Sequence, residues 1–298
     1  MQFGGKKLFE DVNVKFTPGN CYGLIGANGA GKSTFIKVLA GEIEPNRGQV
    51  HMAKDLRLSV LRQDHYAFDN HTVMQTVLMG NERLYKIMVE KDALYAKPDF
   101  SEKDGDRASE LETVFAELNG WEAESEAGVL LAGLGIPNSA NDKLMKDLEG
   151  GDKVKVLLAQ ALIGQPDVLL LDEPTNYLDI VSIRWLGKFL ESWPKECLII
   201  SHDRSFLDNV VTQVIAAEGD GQWREFVGGY SDWAAWHLAQ NKAAEKSATV
   251  KAAPKANEPA TASGSRAAKL SYKEQQALNA LPGQIEALET EQAALLEK

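Results

Sequence analysis

Two hydrophobic patterns alternate along most of the chain. Short continuous apolar runs at 21–25, 168–171 and 197–200 are typical of buried strands. Apolar residues that recur every three or four positions, as at 34–40 and 154–162, predict amphipathic helices between these strands. Together the two patterns predict an α/β fold, in which helices flank a buried mixed sheet.

Weaker patterns predict further strands. Residues 8–16 roughly alternate apolar and polar side chains, as a half-buried strand does. Residues 56–61 predict another strand, and 214–217 with 223–227 predict a β-hairpin around Gly219 to Gln222. We therefore predict an antiparallel β subdomain beside the mixed sheet.

Residues 79–128 differ in composition and predict an acidic helical insertion. Between 82 and 126 there are thirteen carboxylates against six basic side chains. Apolar residues at helical spacing predict two helices, broken around Lys97 to Asp99. A solvated acidic face and an arm that contacts a partner both fit this pattern. The acidity argues against a direct contact with a phosphate backbone.

A second change in composition follows residue 237, where the predicted folded domain (1–237) ends. Residues 238–270 are rich in Ala, Lys, Pro, Ser and Thr and predict a disordered, mildly basic linker. Within 271–298, the a/d spacing of Leu278, Leu281, Ile285 and Leu288 predicts a partial coiled-coil helix. Such a short seam is not stable alone.

Composition and charge narrow the class of protein. A chain of 298 residues with 44% hydrophobic content can bury a sizeable core. The net charge of −11 argues against a generally basic nucleic-acid binder. Cys21 and Cys197 lie in apolar runs, which indicates a reducing compartment. Without a membrane-length apolar run or a signal-peptide pattern, the sequence predicts a cytoplasmic protein without membrane insertion.

The segment from Gly26 to Ser33 fits G-x-x-x-x-G-K-[ST], the Walker A phosphate-binding loop, between a predicted strand and helix. Its glycines let backbone N–H groups approach phosphate oxygens, and the helix N-terminus adds partial positive charge. We expect Lys32 to reach the β- and γ-phosphates of ATP and Ser33 to ligate Mg²⁺. The predicted nucleotide-binding residues of this loop are Gly26, Asn28, Gly29, Ala30, Gly31, Lys32, Ser33 and Thr34.

The apolar run at 168–171 ends in two carboxylates, which is the Walker B pattern. Asp172 is expected to hold the Mg²⁺ shell, and Glu173 to orient and deprotonate the attacking water. His202 follows the run at 197–200 and is expected to contact the γ-phosphate, although a lone histidine at a strand end is more often structural. Gln63 follows the predicted strand at 56–61, where it could point at Mg²⁺ and the water, but a lone glutamine proves nothing.

These motifs stand in the order found in ABC-type ATPases: Walker A, Gln63, the glycine pair Gly150 and Gly151 opening a helix, Walker B, and His202. Beyond that order, residues 172–179 read D-E-P-T-N-Y-L-D, which resembles the D-E-P-T-N-x-L-D form of the ABC-F family. The acidic insertion is similar to the arm of that family. The resemblance covers about residues 1–236.

The resemblance implies a P-loop NTPase of the ABC-cassette type, with ATP and Mg²⁺ as cofactors and a second cassette, in a homodimer or another chain, completing the ATP sandwich. It also implies action on ribosomes without a membrane domain. Phe3 stands where such cassettes place an aromatic against adenine, although an ordinary strand residue is nearly as good an interpretation. The same resemblance implies that Mg²⁺ is bound by Ser33, Gln63 and Asp172. It also implies further contacts with the nucleotide from Glu149, Gly150, Gly151 and Asp179.

Three departures from the family pattern bear on function. The chain has one cassette, Glu149 stands where the family's L-S-G-G-x loop has serine, and the usual first strand before Met1 is missing. We therefore expect a truncated or recombined gene product, with turnover impaired by Glu149.

Three function classes remain open, of which the third is non-enzymatic. The first is an ATPase of ABC-F type that couples nucleotide state to ribosome binding. The second is the ATP-binding subunit of a membrane transporter, which the generic motifs allow. The third is a nucleotide-dependent binding module with impaired hydrolysis.

Overall fold

The computed structural model describes residues 1–3, 6–62, 64, 66–219 and 221–250. The chain divides into two units, Met1–Glu245 and Lys246–Lys298. The strands are β1 Gln2–Phe3, β2 Lys6–Lys7, β3 Cys21–Gly26, β4 Leu58–Val60, β5 Val168–Asp172, β6 Glu196–Ile200, β7 Gln213–Gly219 and β8 Gln222–Val227. The α-helices are α1 Lys32–Leu39, α2 Val73–Leu78, α3 Glu82–Tyr95, α4 Glu102–Glu117, α5 Ala123–Gly133, α6 Gly150–Leu162, α7 Ile180–Glu191, α8 Arg204–Val210 and α9 Tyr230–Val250.

A six-stranded sheet in the order β4-β5-β6-β3-β7-β8 forms the centre of the first unit. The strands from β4 to β7 pair in parallel, and β8 pairs antiparallel with β7. The predicted mixed sheet, its buried strands and its hairpin are therefore confirmed. Because parallel strands end at the same edge, the carboxyl ends of β3, β5 and β6 bring Gly26, Asp172 and Ile200 to one side of the sheet.

Both faces of this sheet are buried, which explains the continuous apolar runs. Along β3, Tyr22 and Leu24 pack in the same cluster as residues of α1, while Cys21 and Ile25 belong to the cluster on the other face. Alternate residues of β5 divide in the same way, with Leu170 on the first face. A strand covered on both sides has no solvated face, so polar residues are absent from its middle.

Helices of the 79–128 region form a layer beside the sheet, with α3 and α4 packed against each other. The break between them, at 96–101, includes the predicted one around Lys97 to Asp99. Ion pairs join Glu90 to Arg107 at 2.8 Å and Lys91 to Glu112 at 2.9 Å. Four of the region's six basic side chains (Lys86, Lys91, Lys97 and Arg107) pair with its own carboxylates, which leaves its exposed charge acidic.

Residues 8–16 do not form a strand, which corrects one sequence prediction. The burial of their side chains alternates as predicted, but Asp11 has a φ of 53°, and this left-handed conformation interrupts an extended run. This stretch makes isolated backbone hydrogen bonds, from the N–H of Leu8 to the carbonyl oxygen of Met1 and from the N–H of Glu10 to that of Gly221.

The boundary of the predicted linker also changes. Helix α9 runs from Tyr230 to Val250 and so continues past residue 238, where the linker was predicted to begin. The sequence of this stretch is rich in Ala, Lys, Gln and Glu, which have high helix propensity. The rest of the linker and the predicted coiled-coil helix at 271–298 lie outside the described residues.

Candidate functional site

The Walker A loop connects the end of β3 to the start of α1, as predicted. Gly26, Gly29 and Gly31 have φ values of 150°, 77° and 96°. A Cβ on Gly26 would lie 2.7 Å from the Cβ of Ala217, and one on Gly31 would lie 2.9 Å from the Cβ of Leu8. Glycine is therefore required at both positions by conformation and by space.

The first turn of α1 offers its backbone N–H groups to an anion. This turn has no acidic residue, and no side chain caps it. Lys32 is buried, and its Nζ donates to the carbonyl oxygens of Gly26 at 2.9 Å and Ala27 at 3.2 Å. These two bonds hold the ammonium group over the loop and leave one N–H for a ligand. The arrangement suits a phosphate group.

Asp172 and Glu173 project from the end of β5 beside this loop. Asp172 lies opposite Ile200 in the β5–β6 register, and the N–H of Glu173 donates to the carbonyl oxygen of Ile200 at 2.8 Å. Glu173 has a φ of 52°, an uncommon conformation for a residue with a side chain. The chain therefore turns sharply at Glu173.

The side chain of Glu173 contacts His202. Its Oε2 accepts a hydrogen bond of 3.2 Å from the backbone N–H of His202, and its Oε1 lies 3.4 Å from His202 Nε2. Oε1 is buried and has no hydrogen-bond partner within the described part of the chain. Burial raises the pKa of Glu173 above its ordinary value, and the N–H and imidazole of His202 partly offset this rise.

A cavity of about 330 Å³ joins these elements. The structure thus brings together the predicted phosphate-binding residues, the two acidic residues and the histidine, which lie far apart in sequence. The residues that line the cavity are Asn28, Gly29, Gly31, Lys32, Ser33, Thr34, Asp172, Glu173, Ile200 and His202. A larger cavity of about 780 Å³ lies between α1 and residues 7–13, and it contains none of these groups.

The oxygen atoms of this cavity fit Mg²⁺. Ser33 and Asp172 both line it, and hydroxyl and carboxylate oxygens are the ligands that Mg²⁺ prefers. Across the described ranges, no group of three or more His, Cys, Asp and Glu residues is placed to hold a metal ion. Few protein ligands are typical of Mg²⁺ that is shared with phosphate oxygens.

A protein-family model described as "ABC transporter" matches residues 9–176, which is more than half of the chain. The chain belongs to the ABC family. The predicted P-loop cassette fold is thereby confirmed, and the cavity contains its Walker A and Walker B residues.

Three curated relatives show where the cassette is similar to known proteins. It is 59% identical over 78% of its length to YkpA of Bacillus subtilis, an uncharacterized ABC transporter ATP-binding protein, and spans 43% of that protein. It is 34% identical over 72% of its length to human ATP-binding cassette sub-family F member 3, spanning 30% of it. It is 31% identical over 77% of its length to the energy-dependent translational throttle protein EttA of Mycobacterium tuberculosis, and it spans 41% of that protein. The chain thus spans less than half the length of these relatives.

A solved structure supports the fold alone. The cassette matches an ATP-binding subunit of an ABC transporter with a TM-score of 0.56, covering 76% of this chain and 85% of that one at 19% identity. Within the described ranges, no helix has the length and apolar character needed to span a membrane.

Several predicted site residues do not line the cavity. Glu149 precedes α6, where its side chain is exposed and makes no capping hydrogen bond, and Gly150 and Gly151 form the first turn of that helix. Gly26 and Ala30 belong to the loop without lining the cavity: the carbonyl oxygen of Gly26 accepts from Lys32 Nζ, and the N–H of Ala30 donates to Ala27 at 3.2 Å.

Asp179 does not line the cavity either, because its carboxylate caps α7. It accepts 2.9 Å hydrogen bonds from the N–H groups of Val181 and Ser182, and these contacts lower its pKa. Gln63 lies outside the described residues, as does the side chain of Phe3, whose backbone belongs to β1.

A second cavity, also of about 330 Å³, reaches the other side of the same acidic residues. Arg62 and Tyr177 line it together with Asp172 and Glu173. Sequence reasoning missed both Arg62 and Tyr177. The only signal for Arg62 is its position next to Gln63, and Tyr177 stands at the single variable position of the 172–179 motif.

Proposed function

We propose that this cassette binds Mg-ATP in the cavity between α1 and the ends of β5 and β6, and hydrolyses it. The convergence of Lys32, Ser33, Asp172, Glu173 and His202 on one cavity is the observation that supports the proposal most strongly.

Binding of the phosphates rests on α1 and Lys32. The free N–H groups of the first turn and the remaining N–H of Lys32 donate to phosphate oxygens. Ser33 and Asp172 hold Mg²⁺, which, when bound, neutralises negative charge on the phosphates.

Hydrolysis rests on Glu173. Its carboxylate lines the cavity, and we assign it to accept a hydrogen bond from the attacking water and then the proton of that water. In the nucleotide-free chain, burial raises the pKa of this carboxyl group above its ordinary value. The N–H of His202 holds Oε2, which fixes the direction in which Oε1 points.

A second cassette, from another copy or another chain, completes the site in this proposal. Tyr177, Ile180 and Val181 are 67%, 61% and 69% exposed, although their side chains are large and apolar. All three follow the Walker B strand in sequence, and Tyr177 lines the second cavity. An exposed apolar surface next to an incomplete site is typical of an interface.

We further propose an ABC-F role, in which nucleotide state controls binding to ribosomes. The T-N pair of the 172–179 motif, the acidic α3–α4 region, and the similarity to a sub-family F member and a translational throttle protein support it. The alternative is an ATP-binding subunit of a membrane transporter, which the description of the matching family and the name of YkpA favour. A binding module with impaired hydrolysis is the third possibility, and the exposed Glu149 favours it.

Calorimetry with Mg-ATP tests nucleotide binding. Lys32→Ala removes a buried positive charge from the phosphates, so we expect its affinity for ATP to fall by at least about tenfold, which corresponds to about 1.4 kcal/mol. Lys37→Ala, an exposed lysine in the last turn of the same helix, is the control and should bind as the unchanged chain does. Equal affinities for Lys32→Ala and Lys37→Ala would contradict the assignment.

Co-sedimentation separates the two cellular roles. The Glu173→Gln chain, in which we expect ATP to stay bound, should pellet with purified ribosomes in ATP and remain in solution with ADP. Pelleting with membrane vesicles instead would favour the transporter alternative. Nucleotide-independent behaviour with both would contradict a coupling of nucleotide state to either partner.

A further inference from the structure

A pair of hydroxyl groups connects the turn after Glu173 to the loop that contains His202. Thr175 Oγ1 and Ser201 Oγ lie 3.1 Å apart and form a hydrogen bond. Ser201 is only 7% exposed, and its Oγ also accepts a hydrogen bond of 3.1 Å from the N–H of Asp203. The bond therefore joins two segments that are 26 residues apart in sequence.

The two joined segments are those that present the proposed base and its histidine. Thr175 is two residues beyond Glu173, and Ser201 directly precedes His202. The turn at Glu173 is closed by the N–H of Asn176, which donates to the Glu173 carbonyl oxygen at 3.2 Å. Because Glu173 has a φ of 52°, surrounding contacts must hold it in this conformation.

Three hydrogen bonds link these segments, and each has a different character. The bond from the N–H of Glu173 to Ile200 joins backbone to backbone at 2.8 Å, and the N–H of His202 bonds the Glu173 carboxylate at 3.2 Å. The Thr175–Ser201 bond joins two side chains, so substitution can remove it without changing a backbone group or a reacting group.

We propose that Thr175 and Ser201 are positioning residues, and that their hydroxyl pair fixes the loop of His202 against the Glu173 carboxylate. This inference rests on the proposed hydrolysis for its kinetic consequence, but the geometry it describes exists in the nucleotide-free chain. Loss of the pair would let the N–H of His202 move away from Glu173 Oε2, so that Oε1 no longer points in a fixed direction. Small displacements of a reacting group lower turnover more than they lower binding.

Thr175→Val is the test variant, because valine keeps the shape of threonine and removes the hydroxyl. Thr175→Ser restores a hydroxyl and should restore the behaviour of the unchanged chain. Thr113→Val is the matched control, since the Thr113 hydroxyl also makes one hydrogen bond, of 3.0 Å to Ser109, on the exposed face of α4. Ser201→Ala is a second test variant. It removes the same bond from the other side, together with the bond that Ser201 Oγ accepts from the N–H of Asp203.

Amide hydrogen exchange of His202 and Asp203, followed by NMR spectroscopy on the full chain, reports the position of the loop directly. One lost hydrogen bond corresponds to a change of about five- to tenfold, so we expect Thr175→Val and Ser201→Ala to speed exchange at His202 by about this factor. In these two variants, exchange within β5 should stay unchanged. In Thr113→Val, exchange should stay unchanged at every amide near the site. Unchanged exchange at His202, or an equal increase throughout β5, would overturn the inference.

Steady-state kinetics then separate positioning from binding. We expect Thr175→Val to lower kcat by about five- to tenfold, with KM for ATP within about twofold of the unchanged chain, and Thr175→Ser to recover it. An unchanged kcat in Thr175→Val, or a loss that Thr175→Ser does not recover, would overturn the inference. If the unchanged chain binds ATP without hydrolysing it, the proposed hydrolysis fails, while the exchange measurement still decides whether the pair holds the loop.

Discussion

At the scale of single residues, the candidate site combines groups that the sequence predicts with contacts that it does not. Gly26 to Thr34, Asp172, Glu173 and His202 are recognisable because their motifs have fixed spacing. The hydrogen bond between Thr175 and Ser201 has no such signal, because it depends on how the ends of β5 and β6 align. The hydrogen bond from the N–H of His202 to the Glu173 carboxylate cannot be predicted from the sequence for the same reason.

Glu149 gives the sharpest test at this scale. By its resemblance to ABC cassettes, this helix start faces the γ-phosphate of the opposite cassette, where serine donates a hydrogen bond and an ionised glutamate cannot. Like charge there opposes closure of the two cassettes. We expect Glu149→Ser to increase both ATP-dependent dimerisation and turnover by about tenfold or more, or about 1.4 kcal/mol.

Steady-state ATPase activity and sedimentation with ATP measure this effect. Glu124→Ser is the matched control, because Glu124 is an exposed carboxylate in the first turn of α5 and lines neither cavity of the site. A Glu149→Ser protein that is neither faster nor more dimeric would show that Glu149 is not at a composite site.

At the scale of elements, buried strands were predictable because both of their faces are covered. The apolar runs at 21–25, 168–171 and 197–200 correspond to β3, β5 and β6. The strand predicted at residues 8–16 is wrong, because alternating apolar and polar side chains indicate burial but not backbone hydrogen bonding. The left-handed Asp11 and the isolated backbone bonds there depend on neighbours that the local pattern does not include.

Two glycines of α5 allow a prediction about the helical layer. A Cβ on Gly133 would lie 2.0 Å from Trp185 Cε2, whereas one on Gly128 would have no atom within 4 Å. Because alanine has the better helix propensity, we expect Gly128→Ala to raise the free energy of unfolding by about 0.5–1 kcal/mol. Gly133→Ala should lower it by about 1–3 kcal/mol, because Trp185 must move.

Urea denaturation of the two variants measures this difference, and each serves as the control of the other. A Gly133→Ala chain as stable as Gly128→Ala would contradict the packing of α5 against Trp185 described here.

At the scale of the whole molecule, the cassette fold was predictable but the assembly was not. The order of motifs is a property of the sequence, whereas an interface depends on which apolar side chains remain exposed after folding. Tyr177, Ile180 and Val181 are such side chains. Tyr177 belongs to the 172–179 motif, and Ile180 and Val181 follow it, but the sequence does not indicate that all three stay exposed.

We expect this surface to contact the second cassette. Val181→Glu places a charge on it and should lower ATP-dependent dimerisation by about tenfold or more, because burying an unpaired charge is costly. The effect is measured by sedimentation in the Glu173→Gln background. Val129→Glu is the control, since Val129 is 62% exposed on α5. Equal dimerisation of the two variants would place the interface elsewhere.

We propose that Glu173 acts as the base in the ATP-binding cavity, and a comparison of steady-state turnover between two variants decides whether it does. Glu173→Gln keeps the shape of the side chain but cannot accept the proton, so turnover should fall by about 100-fold or more. Affinity for Mg-ATP should stay within about twofold. Glu191→Gln, at the exposed end of α7, should leave turnover unchanged. A Glu173→Gln chain with the turnover of the unchanged protein would contradict the account.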